Sequence, residues 1–157
     1  PRPEALAAGS ESLIIRRAFA ADAELLFPLQ AAYEIEEVVP VGGIFAPAAV
    51  RLAFERSIKE RIILYAVMDG KAVGKAGTNA RAYTRDQIGG VFVDPAYRGR
   101  GIATRLVAEL AAILRAEGRK AVLFVKKRNA PARAAYEKVG FVPTEDYRIT
   151  YYTEKER

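Results

Sequence analysis

One stretch, residues 91–106, constrains the fold of the chain more than any other. An apolar run ends at an Asp-Pro pair, a basic turn containing Gly99 and Gly101 follows, and apolar residues at helical spacing complete the stretch. The stretch therefore predicts a strand, a tight loop and a helix. Two glycines permit a sharp turn, and the unpaired amides and positive dipole end of a helix start attract anions. This arrangement predicts a phosphate site with Arg98 and Arg100 beside it.

Strand-like and helix-like patterns alternate along the rest of the chain. We expect strands over residues 13–17, 62–68, 72–79, 86–93 and 121–125, and a last strand through Tyr147, Ile149 and Tyr151. We expect helices over residues 22–39, 47–61, 102–117 and 131–138. Asp69-Gly70 indicates a hairpin between antiparallel strands, and the crossover through helix 102–117 makes its two flanking strands parallel neighbours. Gly89-Gly90 indicates a β-bulge or the close approach of another backbone.

The length of 157 residues suits one domain. Residues 1–12, rich in Ala, Pro, Glu and Ser, are expected to form a linker or tail, and residues 13–157 a single domain. Because the first residue is Pro1 and not Met, a further N-terminal domain in the native protein is one of the expectations. No apolar run reaches the roughly 18 residues of a membrane span and no secretory signal is recognisable, which favours a cytoplasmic protein with no membrane partner.

The residue types that are absent exclude several chemistries. The chain has no Cys and no His, so it offers no thiol nucleophile, no imidazole base and no zinc site of nitrogen and sulfur ligands. A Ser-His-Asp hydrolase is excluded for the same reason. If the chain is a transferase, we expect the group to pass directly between two bound substrates, without a metal.

The net charge of +6 is concentrated in the second part of the chain. Residues 1–60 carry six basic and nine acidic side chains, which gives −3, and residues 61–157 carry nineteen basic and ten acidic ones, which gives +9. The second part therefore favours a polyanionic partner. Coenzyme A and nucleic acid both fit, and a solvated basic surface is the alternative.

The two commoner phosphate loops do not fit the turn. A Walker loop requires Gly-Lys-Ser/Thr, whereas Gly101 precedes Ile102, and a Rossmann turn requires a third glycine where Thr104 stands. From Arg98 to Ala103 the turn instead resembles the Arg/Gln-x-x-Gly-x-Gly/Ala signature of the GNAT acetyltransferase superfamily.

A second group of residues resembles the same superfamily in the same order. Asn129 follows the fifth predicted strand, and Tyr136 and Gly140-Phe141 lie on and after the next helix. The resemblance covers residues 13–152. It implies an α/β (α+β) class, the GNAT acyl-CoA N-acyltransferase fold, with helices on both faces of a mixed, mostly antiparallel sheet of six to seven strands that is splayed between strands 4 and 5.

The resemblance also implies acetyl-CoA as co-substrate, with its pantetheine arm in the splay against backbone amides. The residues implied in coenzyme binding are Val91, Phe92, Val93, Arg98, Gly99, Arg100, Gly101, Ile102, Ala103, Thr104, Asn129 and Tyr136. The amide of Phe92 or Val91 would polarise the thioester carbonyl, and Tyr136 would donate a proton to the departing thiolate. The structural alternatives are a packed aromatic at Tyr136, a helix cap at Asn129 and a surface residue at Arg100.

An amine acceptor must lose a proton, because an alkyl amine of pKa about 10.4 is neutral in only about one molecule in 2,500 at pH 7. Superfamily members often use a Glu on the fourth strand or a water relay, whereas this strand offers only Asp86 and Gln87, near its start. The base is therefore left unassigned, and the other candidates are Glu34, Glu36 and, foremost, Glu37. The resemblance places Tyr33, Glu34 and Glu37 beside the acceptor site, where acidic groups attract a cationic amine, and an exposed acidic helix face is the alternative.

Three functions follow from these patterns. The first is an N-acetyltransferase that moves acetyl from acetyl-CoA to a primary amine of a small molecule, peptide or protein. The alternative is a non-catalytic, regulatory module that binds acyl-CoA. The third is an RNA-binding domain, which has basic runs but no aromatic stacking strand, so nucleic acid is not the expected partner. A homodimer stays open.

Overall fold

A computed structural model describes residues 12–148, in which five strands form one sheet. The strands are β1 Ile14–Arg17, β2 Ile63–Met68, β3 Lys71–Arg81, β4 Arg85–Val93 and β5 Lys120–Leu123. They lie in the order β1-β2-β3-β4-β5, and every neighbouring pair is antiparallel except the parallel pair β4–β5. The mixed, mostly antiparallel sheet and the parallel crossover predicted from the sequence are therefore confirmed.

Four α-helices cover the sheet in the described part of the chain. They are α1 Ala23–Tyr33, α2 Pro47–Glu60, α3 Ile102–Ala116 and α4 Ala130–Val139. A short 3-10 helix, Ala20–Asp22, precedes α1, and a π-helical turn, Glu34–Val38, follows it. None of the helices in residues 12–148 is long and apolar enough to cross a membrane.

The helices bury two separate sets of apolar side chains, one on each face of the sheet. On one face, α3 contributes the fully buried Leu106, Leu110 and Leu114 to a cluster with β2, β3 and β4. On the other face, α1 and α2 contribute Leu26 and Phe54 to a second cluster. Helices on both faces are therefore confirmed, and the sheet separates two environments.

The β4 strand leaves the sheet pattern at its midpoint. Parallel pairing with β5 runs from Arg85 to Ile88 and stops there, so residues 89–93 have β3 on one side and an open edge on the other among the described residues. Between Gly89 and Phe92, β4 has one residue more than the opposing segment of β3, which is a β-bulge. A Cβ on Gly89 would lie 1.9 Å from Nδ2 of Asn79. The bulge and the splay are thus confirmed, while the segment that approaches Gly89 is a side chain and not another backbone.

The sheet is smaller than the expected six to seven strands, and β5 is shorter than predicted. It ends at Leu123, and the ring of Phe124 packs on Tyr147, with ring centroids 4.5 Å apart. Tyr147 itself has no regular secondary structure, and the rest of the predicted last strand, Ile149 and Tyr151, lies outside the described residues. The predicted tail also lies outside them, apart from Ser12.

Candidate functional site

The predicted phosphate loop is an open turn at the start of α3. Gly99 and Gly101 have φ angles of 78° and 75°, which L side chains rarely adopt. Gly101 forms the N-cap of α3, so the next amides, Ile102, Ala103 and Thr104, belong to the first helical turn and have no partner within the helix. The loop therefore presents several N–H groups and the positive end of a 15-residue helix at one place.

Arg98 connects this loop to two other elements. Its Nε donates to the carbonyl of Val93 at 3.0 Å, and its Nη2 contacts both carboxylate oxygens of Glu36 at 2.9 and 2.8 Å. The guanidinium therefore already has partners where a phosphate contact was expected. Arg100 lies over the ring of Tyr97, 5.3 Å from its centroid, and contacts Met68.

The open edge of β4 lies next to the loop. The amide of Asp94 donates to Val73 on β3, and strand alternation then turns the peptide group of Val93 away from β3. The bond from Arg98 to the Val93 carbonyl agrees with this direction. Phe92 is paired with Lys75 on β3, and Val91 lies in the bulge next to it, where the regular alternation is interrupted, so either amide stays a predicted thioester donor.

Tyr136 lies on α4, on the other side of the open edge. Burial raises the pKa of Tyr136 to about 12, and the nearby Tyr33 and Glu37 act in the same direction. These three predicted residues are therefore close together, although they come from opposite faces of the sheet. The Tyr136 ring also packs edge-on against Phe141, with centroids 6.4 Å apart, so the packing alternative describes a real contact. The phenol stays protonated at neutral pH and can donate a hydrogen bond.

Asn129 has the structural role that the sequence left open. Its side-chain oxygen accepts the amide of Ala132 at 3.1 Å and so caps α4. It also lines a shallow pocket between the start of α4 and the π-helical turn, together with Glu36, Glu37, Lys126, Arg128 and Pro131.

The acidic residues predicted for the acceptor site are engaged by neighbours. Glu37 accepts from Nζ of Lys126 at 2.6 Å, and Glu34 accepts from the side-chain Nε2 of Gln30 at 2.8 Å. Burial, with Glu34 and Glu37 nearby, raises the pKa of Tyr33, and a hydrogen bond with the backbone of Gly90 acts in the opposite direction. Tyr33 therefore sits directly at the bulge of β4.

Asp86 lies in a setting that argues against its predicted role as base. Both of its carboxylate oxygens accept from Arg119, at 2.5 and 2.8 Å, and Arg81 is 3.5 Å away. The hydrogen bond from Arg119 is the main cause of a lowered pKa for Asp86. Asp86 also precedes the splay, where β4 still pairs with β5. A buried carboxylate held in this way suits a structural ion pair, and we propose no catalytic role for it.

One polar residue in this region was missed by the sequence reasoning. Lys75, on β3, is 3% exposed, and its Nζ donates to the carbonyl of Gly90 at 2.9 Å. The only sequence signal is a charged residue in the middle of a strand of small and apolar residues. Strand alternation does not predict it, because lysines in strands usually reach solvent.

Two features define the class of protein. A mixed sheet splays apart at β4, and a glycine-containing loop suited to an anion lies next to the splay, at the start of α3. The profile of the acetyltransferase (GNAT) family matches residues 26–141, and the chain belongs to this family.

Solved structures show the same fold. An aminoglycoside N-acetyltransferase in complex with CoA superposes with a TM-score of 0.74 at 19% identity, covering 95% of this chain and 99% of that one. A predicted acetyltransferase with acetyl-CoA from Clostridium acetobutylicum gives a TM-score of 0.69 at 20% identity, covering 89% and 96%. In sequence, a mycothiol acetyltransferase of Corynebacterium glutamicum is 47% identical over 58 residues, which are 36% of this chain but only 20% of that protein.

Proposed function

We propose that the chain is an N-acetyltransferase that transfers acetyl directly from acetyl-CoA to a primary amine. The observation that carries the proposal is the adjacency of the open β4 edge and the loop at the start of α3. Residues 89–93 have no strand partner on the β5 side among the described residues, and a pantetheine arm can add there like a strand. The loop amides from Gly99 to Thr104 then lie where the pyrophosphate of the same molecule would reach.

The transfer itself would use groups along this edge. The amide of Val91 would stabilise the oxyanion that forms when the amine attacks the thioester carbonyl. Tyr136, held protonated by burial, would donate to the departing thiolate. Glu34 and Glu37, next to Tyr33, would attract the cationic acceptor from the α1 side. Solved structures of the same fold that contain CoA or acetyl-CoA support the coenzyme, and their likeness of 19–20% identity does not carry an acceptor over to this chain.

A thiol-release assay tests the proposal. Acetyl-CoA is supplied with a panel of alkyl amines, polyamines, amino acids and peptides, and free coenzyme thiol is measured together with the mass of the acetylated product. We expect turnover with at least one primary amine. Thermal stabilisation by acetyl-CoA without release of thiol against any amine would instead favour the non-catalytic acyl-CoA-binding module.

A further inference from the structure

The four carboxylates that are candidates for removing the proton of the acceptor amine are all engaged by neighbouring side chains. Glu36 is paired with Arg98, and Glu37 with Lys126. Asp86 is held by Arg119 at the far end of β4. Glu34 accepts a hydrogen bond from Gln30. Each of these carboxylates accepts from a neighbouring side chain, which suits a structural or recognition role, so the other ionisable groups near the splay also have to be considered as the base.

Lys75 is the buried ionisable side chain at the point where the sheet splays. Its Nζ donates to the Gly90 carbonyl, and Gly90 directly precedes Val91, the proposed thioester donor. Gly90 has a φ of 58° and a Cβ there would lie 3.3 Å from Nζ, so the bulge brings the backbone and the amine together. The rings of Tyr33 and Phe54 lie 4.6 and 5.8 Å from Nζ. A lysine ammonium has three N–H donors, and the bond to Gly90 uses one of those of Lys75 among the described residues.

A small pocket reaches Lys75 from the side of the sheet that α1 and α2 cover. Its polar lining includes Gln30, Ser57 and Asn79, and Gly89 and Gly90 form part of its wall. A ligand in this pocket would lie between Lys75 and the bulge. The pocket wall ends at Gly90, and the next residue, Val91, is the proposed thioester donor. The ligand would lie on the face of the sheet opposite α3.

We infer that Lys75 is the catalytic residue that accepts the proton of the acceptor amine, and that this pocket is where the amine binds. The inference rests on the proposed acetyl transfer. Neutral Lys75 takes one proton from the acceptor ammonium and becomes an ammonium itself. The freed nitrogen forms a C–N bond with the thioester carbonyl carbon, and the C–S bond breaks as the thiolate receives the proton of Tyr136. The second proton of the acceptor nitrogen restores the Tyr136 phenol, and Lys75 releases its proton to water, so each turnover liberates one proton.

The protonation behaviour of Lys75 agrees with this role. Burial is the main cause that lowers the pKa of Lys75 to about 7, and the charge of Glu34 acts in the opposite direction. The other titratable or charged groups that face it are Tyr33 on α1, Arg61 after α2, and Tyr65, its cross-strand neighbour on β2. A free lysine would be almost fully protonated at neutral pH, whereas this one is neutral in a large fraction of molecules.

The test compares Lys75→Met with wild type on two acceptors, an alkyl amine of pKa about 10.4 and a fluorinated alkyl amine of pKa below 6 that is already neutral. We expect kcat/KM for the alkyl amine to fall by about 10² to 10³-fold, and for the neutral amine by less than about tenfold. Retained stabilisation by acetyl-CoA shows that the variant is folded. Equal losses for both amines would assign Lys75 a structural role and overturn the inference.

Two measurements do not depend on that substitution. In the wild type, kcat/KM for the alkyl amine should rise tenfold per pH unit up to about pH 7, because Lys75 must be neutral to accept its proton. For the fluorinated amine, kcat/KM should stay constant over the pH range in which that amine is neutral, because it has no proton to give up before it attacks. A rise toward pH 7 with this amine as well would show that Lys75 must be neutral for another reason. Mass spectrometry after incubation with acetyl-CoA should find Lys75 unmodified, since an acetylated Lys75 would make it a nucleophile and contradict the assignment. If the wild type acetylates no amine at all, the proposed function fails first and the inference falls with it.

Discussion

Nη2 of Arg98 contacts both carboxylate oxygens of Glu36, while Nε of the same guanidinium donates to the carbonyl of Val93. One side chain therefore joins the anion loop, the end of β4 and the π-helical turn after α1. These elements flank the open edge of the sheet on different sides. The loop is therefore connected to the turn that carries Glu36.

Substitutions of Arg98 and Glu36 distinguish two roles of the pair, the positive charge of Arg98 near the pyrophosphate and the effect of the ion pair on the shape of the loop. Arg98→Gln should weaken coenzyme A binding about tenfold in calorimetric titration, since it removes a cation beside the pyrophosphate. Glu36→Gln should change the affinity less than threefold, because both side chains are nearly half exposed and such pairs contribute little to stability. Equal weakening by both variants would show instead that the ion pair itself shapes the loop.

The loop glycines provide a matched pair for testing the amide cradle. Gly101 and Gly118 have φ angles of 75° and 71°, and a Cβ at either position would contact nothing within 4 Å. Alanine at each should therefore destabilise the fold to a similar extent, by about 1–2 kcal/mol. Only Gly101→Ala should also weaken coenzyme A binding, by about tenfold or more, since Gly118 lies at the other end of α3. Loss of affinity in both variants would mean that strain, and not the position of the loop amides, is responsible.

Tyr136→Phe isolates the hydroxyl group, because the edge-on packing against Phe141 is kept by the ring. We expect kcat to fall about 10²-fold with unchanged coenzyme affinity, measured by thiol release and calorimetry. Tyr83→Phe is the control, since Tyr83 is fully exposed at 99%. Undiminished turnover in Tyr136→Phe would assign thiolate protonation to water or to another residue.

The buried lysine also predicts a pH dependence of stability. Its folded-state pKa of about 7 lies below the unfolded value, so the unfolded chain binds more protons between pH 7 and about 10.4, and stability rises with pH across that window. The Lys75→Met variant lacks the destabilisation caused by burying this amine. Its melting temperature should therefore exceed that of the wild type at pH 7, and the gap should shrink toward pH 10. A variant that is less stable than the wild type at both pH values would show that the bond to Gly90 stabilises the fold more than the charge destabilises it.

Features with local signals were the ones that the sequence predicted well. The Asp69-Gly70 hairpin has φ angles of 51° and 75°, as a type I′ turn requires, and the glycines of the anion loop lie in the left-handed region. The bulge at Gly89-Gly90 was also readable from the pair itself. Each depends on backbone angles that few residues adopt.

Features that depend on distant contacts were not predictable in this way. Arg98 finds Glu36 from a segment 62 residues away, and Asp86 finds Arg119 across 33 residues. Lys75 is buried because Tyr33 and Phe54 from two helices close over it. No spacing along the chain encodes these encounters, so neither the ion pair of Asp86 nor the burial of Lys75 could be predicted from the sequence.

The most direct test of the account is a crystal structure of the protein with coenzyme A bound. We expect pyrophosphate oxygens about 2.7–3.2 Å from amide nitrogens between Gly99 and Thr104, with the pantetheine arm along residues 91–93 of β4. A coenzyme bound elsewhere, with these amides making no contact to phosphate, would contradict the account.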